Sequence, residues 1–181
     1  MNDLRYAALA AGVGRRERRG GIAAPAALVI MALLALGGCG SQGGGGNAAP
    51  AAFTMDVAVA GEKLFQELAF RDRLEELAPT VVYTLLGINE NDVSAQKNYF
   101  SSGATAEEII VFQARDQEAL GALKAVLEAR VKEQMEIYAS YAPEEVEYLK
   151  GAVLKEKGDY IVFCVAADAD AASRLVGEVL K

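Results

Sequence analysis

Arg130 and Gln134 stand four residues apart on a segment of helical period, followed by Tyr138 and Tyr141. A planar guanidinium beside an amide and two phenols could hold a carboxylate ligand, because its fork matches two carboxylate oxygens. The same side chains could instead cap backbone carbonyls or pair with an acid of the fold. Glu107 and Glu108 are the next candidates. Adjacent strand residues point to opposite faces, so this pair cannot readily share one substrate atom, and a glycosidase pair needs carboxylates facing each other across a cleft. Both glutamates therefore read as solvated charges at a strand edge. Cys164, in Tyr160-Ile-Val-Phe-Cys-Val-Ala, reads as a buried strand residue acting as a small hydrophobe. A reactive thiol or serine would need an activating base, and the chain contains no histidine. That absence also removes the commonest metal ligand. Ser101-Ser102 reads as part of a turn. Asn89–Asp92 and Asp168-Ala-Asp170 lack the spacing, central glycine and terminal glutamate of a calcium loop and read as helix caps. Tyr138, Tyr141 and Tyr148 could line a groove for sugar or peptide, but they read as core packing with wet hydroxyls. The chain shows no glycine-rich phosphate loop and no CxxC pair. These residues predict no catalytic site, no metal site and no cofactor.

Cys39 carries a different chemistry. Arg15-Arg16-Glu17-Arg18-Arg19 precedes an apolar run from Gly20 to Gly38. A basic end followed by an apolar stretch is the pattern of an export signal. Pro25 and four glycines weaken the run as a permanent membrane span. Its end, Leu36-Gly37-Gly38-Cys39, resembles the lipobox of bacterial lipoproteins: a branched apolar residue, two small residues that admit the peptidase, then the modified cysteine. The resemblance implies that residues 1–38 are removed and that the Cys39 thiol forms a thioether to diacylglycerol. One acyl chain anchors only marginally, and the diacylglyceryl group supplies two. An uncleaved anchor helix, or cleavage near Ala49-Pro50-Ala51, are the alternatives. Residues 39–52, with four consecutive glycines, read as a flexible tether. The expected place is the extracytoplasmic face of the cell membrane.

The elements that position these residues begin at Phe53, giving one domain over residues 53–181. Asp56 can cap a first helix through Val59, Leu64, Phe65 and Leu68. Pro79 opens a short helix that Gly87 closes. Val93 to Ser101 and Glu107 to Ala114 read as a hairpin around Ser102-Gly103-Ala104. Asp116 caps the longest helix, about residues 117–139, and Pro143 starts a short one. Ala152–Lys155 and Tyr160–Ala166 form a second hairpin around Gly158, and Asp168 or Asp170 caps a closing helix. The fold class is α+β: about four mainly antiparallel strands in two hairpins, as two ββα-like units, preceded by N-terminal helices. Helices on one face of the sheet are the simplest packing, with the N-terminal helices available to cover the other. After Cys39 the chain carries thirteen basic and 23 acidic residues. That balance argues against nucleic acid, or an anionic membrane surface, as a partner of the domain itself.

Tyr83, Gly87-Ile88, Tyr99, Ser101-Ser102-Gly103-Ala104, Glu107-Glu108-Ile109, Arg130 with Gln134, Tyr141, Pro143 and Gly158-Asp-Tyr-Ile-Val together are similar to a bacterial lipoprotein family catalogued as domain of unknown function 4358. The resemblance spans about residues 56–166 and implies a lipoprotein of Gram-positive, gut-type bacteria. It implies no activity and no functional residues. The expectation is a membrane-anchored, non-catalytic binding or interaction module meeting a protein or small-molecule partner. The alternatives are a solute-binding or accessory component of a transporter and, more remotely, a carboxylate-dependent hydrolase.

Overall fold

The computed structural model describes residues 53–181. The readings placed on residues 1–38 and 39–52, including Cys39 and its lipobox Leu36, Gly37 and Gly38, lie outside the described residues.

Capping chemistry starts three of the helices. The Asp56 carboxylate accepts the N–H groups of Ala58 and Val59 at the head of α1 (Val57–Glu67). Asp116 accepts from Ala119 at the head of α3 (Gln117–Tyr141), and Asp168, not Asp170, caps α5 (Ala169–Val179). Prolines open the other two, α2 (Pro79–Leu86) and α4 (Pro143–Lys150), where a missing N–H costs nothing. The two expected hairpins are present: β2 (Val93–Phe100) with β3 (Glu108–Ala114), and β4 (Val153–Lys157) with β5 (Tyr160–Val165). Gly158 takes the left-handed conformation that the second turn needs, with φ 59°. A fifth strand, β1 (Glu75–Glu76), pairs with Phe100 and Tyr99. Two acidic residues carry no strand preference, so pairing alone makes this element. The sheet is antiparallel throughout, in the order β1-β2-β3-β5-β4.

Helices cover both faces of the sheet: α1 covers the second face, as an N-terminal helix was available to do, and α5 joins it there. Ile110, Phe112, Ile161 and Phe163 pack with Leu120, Leu123 and Leu127 of α3, Val82 of α2 and Leu149 of α4. On the other face Ile109, Val111, Val162 and Cys164 pack with Val57 and Leu64 of α1 and Leu175 and Val176 of α5. The cause is visible in the strands. The runs Ile109–Phe112 and Ile161–Val165 are apolar at every position, so both faces must be covered. Two-fold symmetry between the ββα units is excluded by the same fact. An axis relating antiparallel neighbours β3 and β5 must stand normal to the sheet and would leave both following helices on one side, whereas α3 and α5 lie on opposite sides.

The two ends of the sheet differ. Phe53 packs edge-on against Tyr160, ring centres 5.5 Å apart, with Lys157 Nζ 4.2 Å from its ring centre. The described chain thus enters beside the β4–β5 turn. The β2–β3 connection, residues 101–107, lies at the opposite end, since Glu108 pairs with Val165 and Gln113 with Tyr160. A seven-residue strand separates them, about 20 Å at the usual rise. Among the described residues no helix is long and apolar enough to cross a membrane.

Cys164 is fully buried, and burial pushes its thiol up to about 12. The native chain is expected to leave Cys164 unmodified by a disulfide reagent at pH 8, and urea that unfolds the domain to release the reaction. Labelling of the folded chain at the free-thiol rate would contradict this placement.

Candidate functional site

The loop between β2 and β3 is short, polar and pinned. Gly103 takes φ 94°, open to glycine and strained for other residues. Tyr138 donates its hydroxyl to Thr105 O at 2.6 Å, with Gly103 O alongside at 3.3 Å. Burial raises the Tyr138 hydroxyl well above the usual phenol range. Ser101 donates its hydroxyl to the same Thr105 carbonyl. Ser102 donates its N–H and its hydroxyl to Asp72 Oδ2 at 3.0 and 2.7 Å, and these bonds hold the Asp72 carboxyl below its usual range.

Two buried ion-pair systems secure the loop's base. Glu107 is 1% exposed and accepts the backbone N–H groups of Arg71 and Asp72, each at 2.9 Å, and the Thr105 hydroxyl at 3.1 Å. Arg71 Nε approaches the same carboxylate at 3.3 Å. The two terminal nitrogens of Arg71 each donate to one oxygen of Glu145 at 2.7 Å, and its guanidinium carbon lies 3.6 Å from the centre of the Tyr148 ring. Glu145 also accepts the Ala106 N–H at 2.9 Å. Arg71 holds the Glu145 carboxyl below its usual range against the opposing effect of burial, with the Ala106 bond helping. The second system is Glu108 with Arg130, bidentate through Nε and Nη2, each at 2.7 Å. Burial pushes the Glu108 carboxyl up, opposed by the bonds from Arg130.

Solvated strand-edge charge is therefore the wrong description of Glu107 and Glu108. Both are buried and paired, because the chain covers both sheet faces and folds the Arg71 segment over the loop. Their position was the available signal: they abut the uninterrupted run Ile109-Ile110-Val111-Phe112, where no alternation offers a solvent side. Sequence reasoning also missed Arg71 and Glu145. They lie 74 residues apart, and only the tertiary fold joins them.

A cleft of about 240 Å³ opens above the Glu108–Arg130 pair. Its walls include Leu77, Leu85, Phe100, the Ser101–Ala106 loop, Gln134 and Tyr138. Of the four residues proposed for a ligand pocket, Arg130, Gln134 and Tyr138 meet here. Tyr141 does not line the cleft; it is 60% exposed, its ring 5.2 Å from that of Tyr138. Arg130 meets a carboxylate, but one supplied by Glu108 of its own chain. Its Nη1 donates to no group among the described residues, and the Gln134 amide forms no hydrogen bond there. The remaining polar atoms of the site are mutually satisfied, which suits a fixed binding surface. Among the described residues no group of three or more His, Cys, Asp or Glu side chains is placed to hold a metal ion.

A family model described as a domain of unknown function (DUF4358) matches residues 71–166. Arg71, Glu107, Glu108, Arg130, Gln134 and Glu145 all fall within it. No curated protein and no solved structure matches the chain.

Proposed function

The chain belongs to the DUF4358 family, and from the cleft's geometry and the Leu36-Gly37-Gly38-Cys39 motif we propose a non-catalytic binding module, lipid-anchored through Cys39 on the extracytoplasmic face of the membrane. The family's description carries no activity, so the reading rests on the molecule. The observation that carries the binding role is the cleft itself, lined by Arg130 and Gln134 with polar atoms that meet no partner among the described residues. Phe53, where the described chain begins, lies at the β4–β5 end of the sheet, and the cleft lies at the β2–β3 end. Residues 39–52 would link this domain to the modified Cys39. Those 14 residues reach at most about 50 Å when extended. The paired carboxylates support a binding role over a hydrolytic one. Glu107, Glu108 and Glu145 each accept from an arginine of the fold, so none is held free to transfer a proton to a substrate.

Expressed at full length in a bacterial host with lipoprotein processing, the chain is expected to give a mature N-terminal peptide beginning at Cys39 and carrying a diacylglyceryl mass. It should enter the detergent-rich phase on detergent phase separation. Cys39→Ser is expected to abolish the diacylglyceryl mass and to leave residues 1–38 attached. A native chain that stays aqueous with Cys39 unmodified would overturn the anchoring.

A further inference from the structure

The geometry points to a neutral carboxamide as the group this cleft recognises, presented either by a small free amide or by a glutamine or asparagine side chain of a protein partner. The inference rests on the cleft being the binding surface. Three observations select the class.

The first is charge. Arg130 resembles a carboxylate receptor, but Glu108 already occupies its bidentate edge at 2.7 Å. Around the cleft stand two guanidinium groups, Arg71 and Arg130, and four carboxyls, Asp72, Glu107, Glu108 and Glu145. With Glu108 ionised in its pair, the surroundings carry excess negative charge. A second carboxylate, or a phosphate, would be repelled and would find no vacant fork. An ammonium head group has no acceptor, so it would leave the Arg130 Nη1 donor unanswered.

The second is the pattern of unused hydrogen-bonding atoms. Arg130 Nη1 offers N–H donors, and the Gln134 amide one helical turn away offers both a donor and an acceptor. A carboxamide answers both with separate atoms: its carbonyl accepts from Arg130, and its amide pairs with that of Gln134. An ester lacks the donor, and an amine lacks the acceptor.

The third is size and lining. About 240 Å³ is below the roughly 300–1,000 Å³ of typical small-molecule sites. It suits a side-chain-sized group whose short hydrocarbon stem lies on Leu77, Leu85 and Phe100. Leu85 is 49% exposed at the mouth, so a longer peptide could extend over it.

The test is a titration of the full-length chain in detergent micelles, following the methyl resonances of Leu77 and Leu85. The probes are propionamide, propionate and propylammonium, which share a stem and differ in the head group. Propionamide should shift both leucines with a dissociation constant on the order of millimolar, reasonable for five heavy atoms. Propionate and propylammonium should bind at least tenfold more weakly. Gln134→Leu should weaken propionamide at least tenfold without lowering the melting temperature. A blocked Leu-Ala-Gln-Ala-Leu peptide binding at least tenfold tighter than propionamide supports a protein partner as the source, and equal affinity supports a free amide. Propionate or propylammonium matching propionamide overturns the ligand class while leaving the cleft as a binding surface. Leucine resonances that none of the four probes moves overturn both the class and the cleft.

Discussion

Arg71→Met should cost the fold about 3 kcal/mol, the lower end of what breaking a buried ion pair removes, because the Arg71 side chain keeps 30% of its surface in water. The loss falls unevenly. Glu107 would retain two backbone N–H groups and the Thr105 hydroxyl, none of which depends on the guanidinium. Glu145 would retain the Ala106 N–H alone, and it is 3% exposed. The double variant Arg71→Met with Glu145→Leu is therefore expected to recover most of the loss, while Arg71→Met with Glu107→Leu should lose more, since it orphans the N–H groups that Glu107 now accepts. Urea denaturation of the full-length chain reads this as a shifted midpoint at constant slope. Domains of this size are stable by about 5–15 kcal/mol, so the single variant would forfeit a sizeable share. A shift in stability below about 1 kcal/mol would show that the pairing does little. The pH dependence has a definite sign. Glu145 is depressed in the folded state, so its contribution is complete above the ordinary carboxylate range and is lost as pH falls through the depressed folded value. Arg71→Met should remove that share of the acid sensitivity.

The boundary between what the sequence shows and what it hides follows the range of each interaction. Asp56, Asp116 and Asp168 cap helices through N–H groups two or three residues away, so local chemistry was sufficient to place them. The hairpins were legible for the same reason, from Gly158 and from dense β-branched residues. β1 was not legible, because Glu75-Glu76 becomes a strand only when β2 lies alongside. The covering of both sheet faces was legible in part, since uninterrupted apolar runs in β3 and β5 demand it, but which helix goes to which face depends on tertiary packing. The cleft divides similarly. Arg130, Gln134 and Tyr138 share a helix face and could be grouped by spacing, whereas the carboxylate that Arg130 grips sits 22 residues upstream on a strand. A charge census of the segment cannot show that an arginine has already been satisfied by its own chain. That fact turns a receptor for carboxylates into a surface for neutral groups.

Arg130→Met should be the more damaging change at neutral pH, costing about 4 kcal/mol, since Arg130 is 13% exposed and Glu108 has no other hydrogen-bond donor to its carboxylate among the described residues. Burial already pushes Glu108 upward, and the bonds from Arg130 are what oppose it. Without them the carboxyl rises further, and the folded state carries the penalty of an unpaired buried charge or takes up a proton. A carboxyl raised in the folded state destabilises most above its raised value. The deficit should therefore shrink as pH falls through that value, and vanish below the ordinary glutamate value of about 4.3, where the unfolded chain is protonated too. Urea midpoints at pH 8 and pH 5 separate the cases: a deficit equal at both would mean that Glu108 is not stranded as a charge. The double variant Glu108→Leu with Arg130→Met places two apolar side chains beside Ile110 and Phe100, and it should be as stable as the native chain or up to a few kcal/mol more so. It would also lack the Arg130 donor in the lining of the cleft. Native stability together with lost amide binding would show that the ion pair is kept for recognition rather than for the strength of the fold.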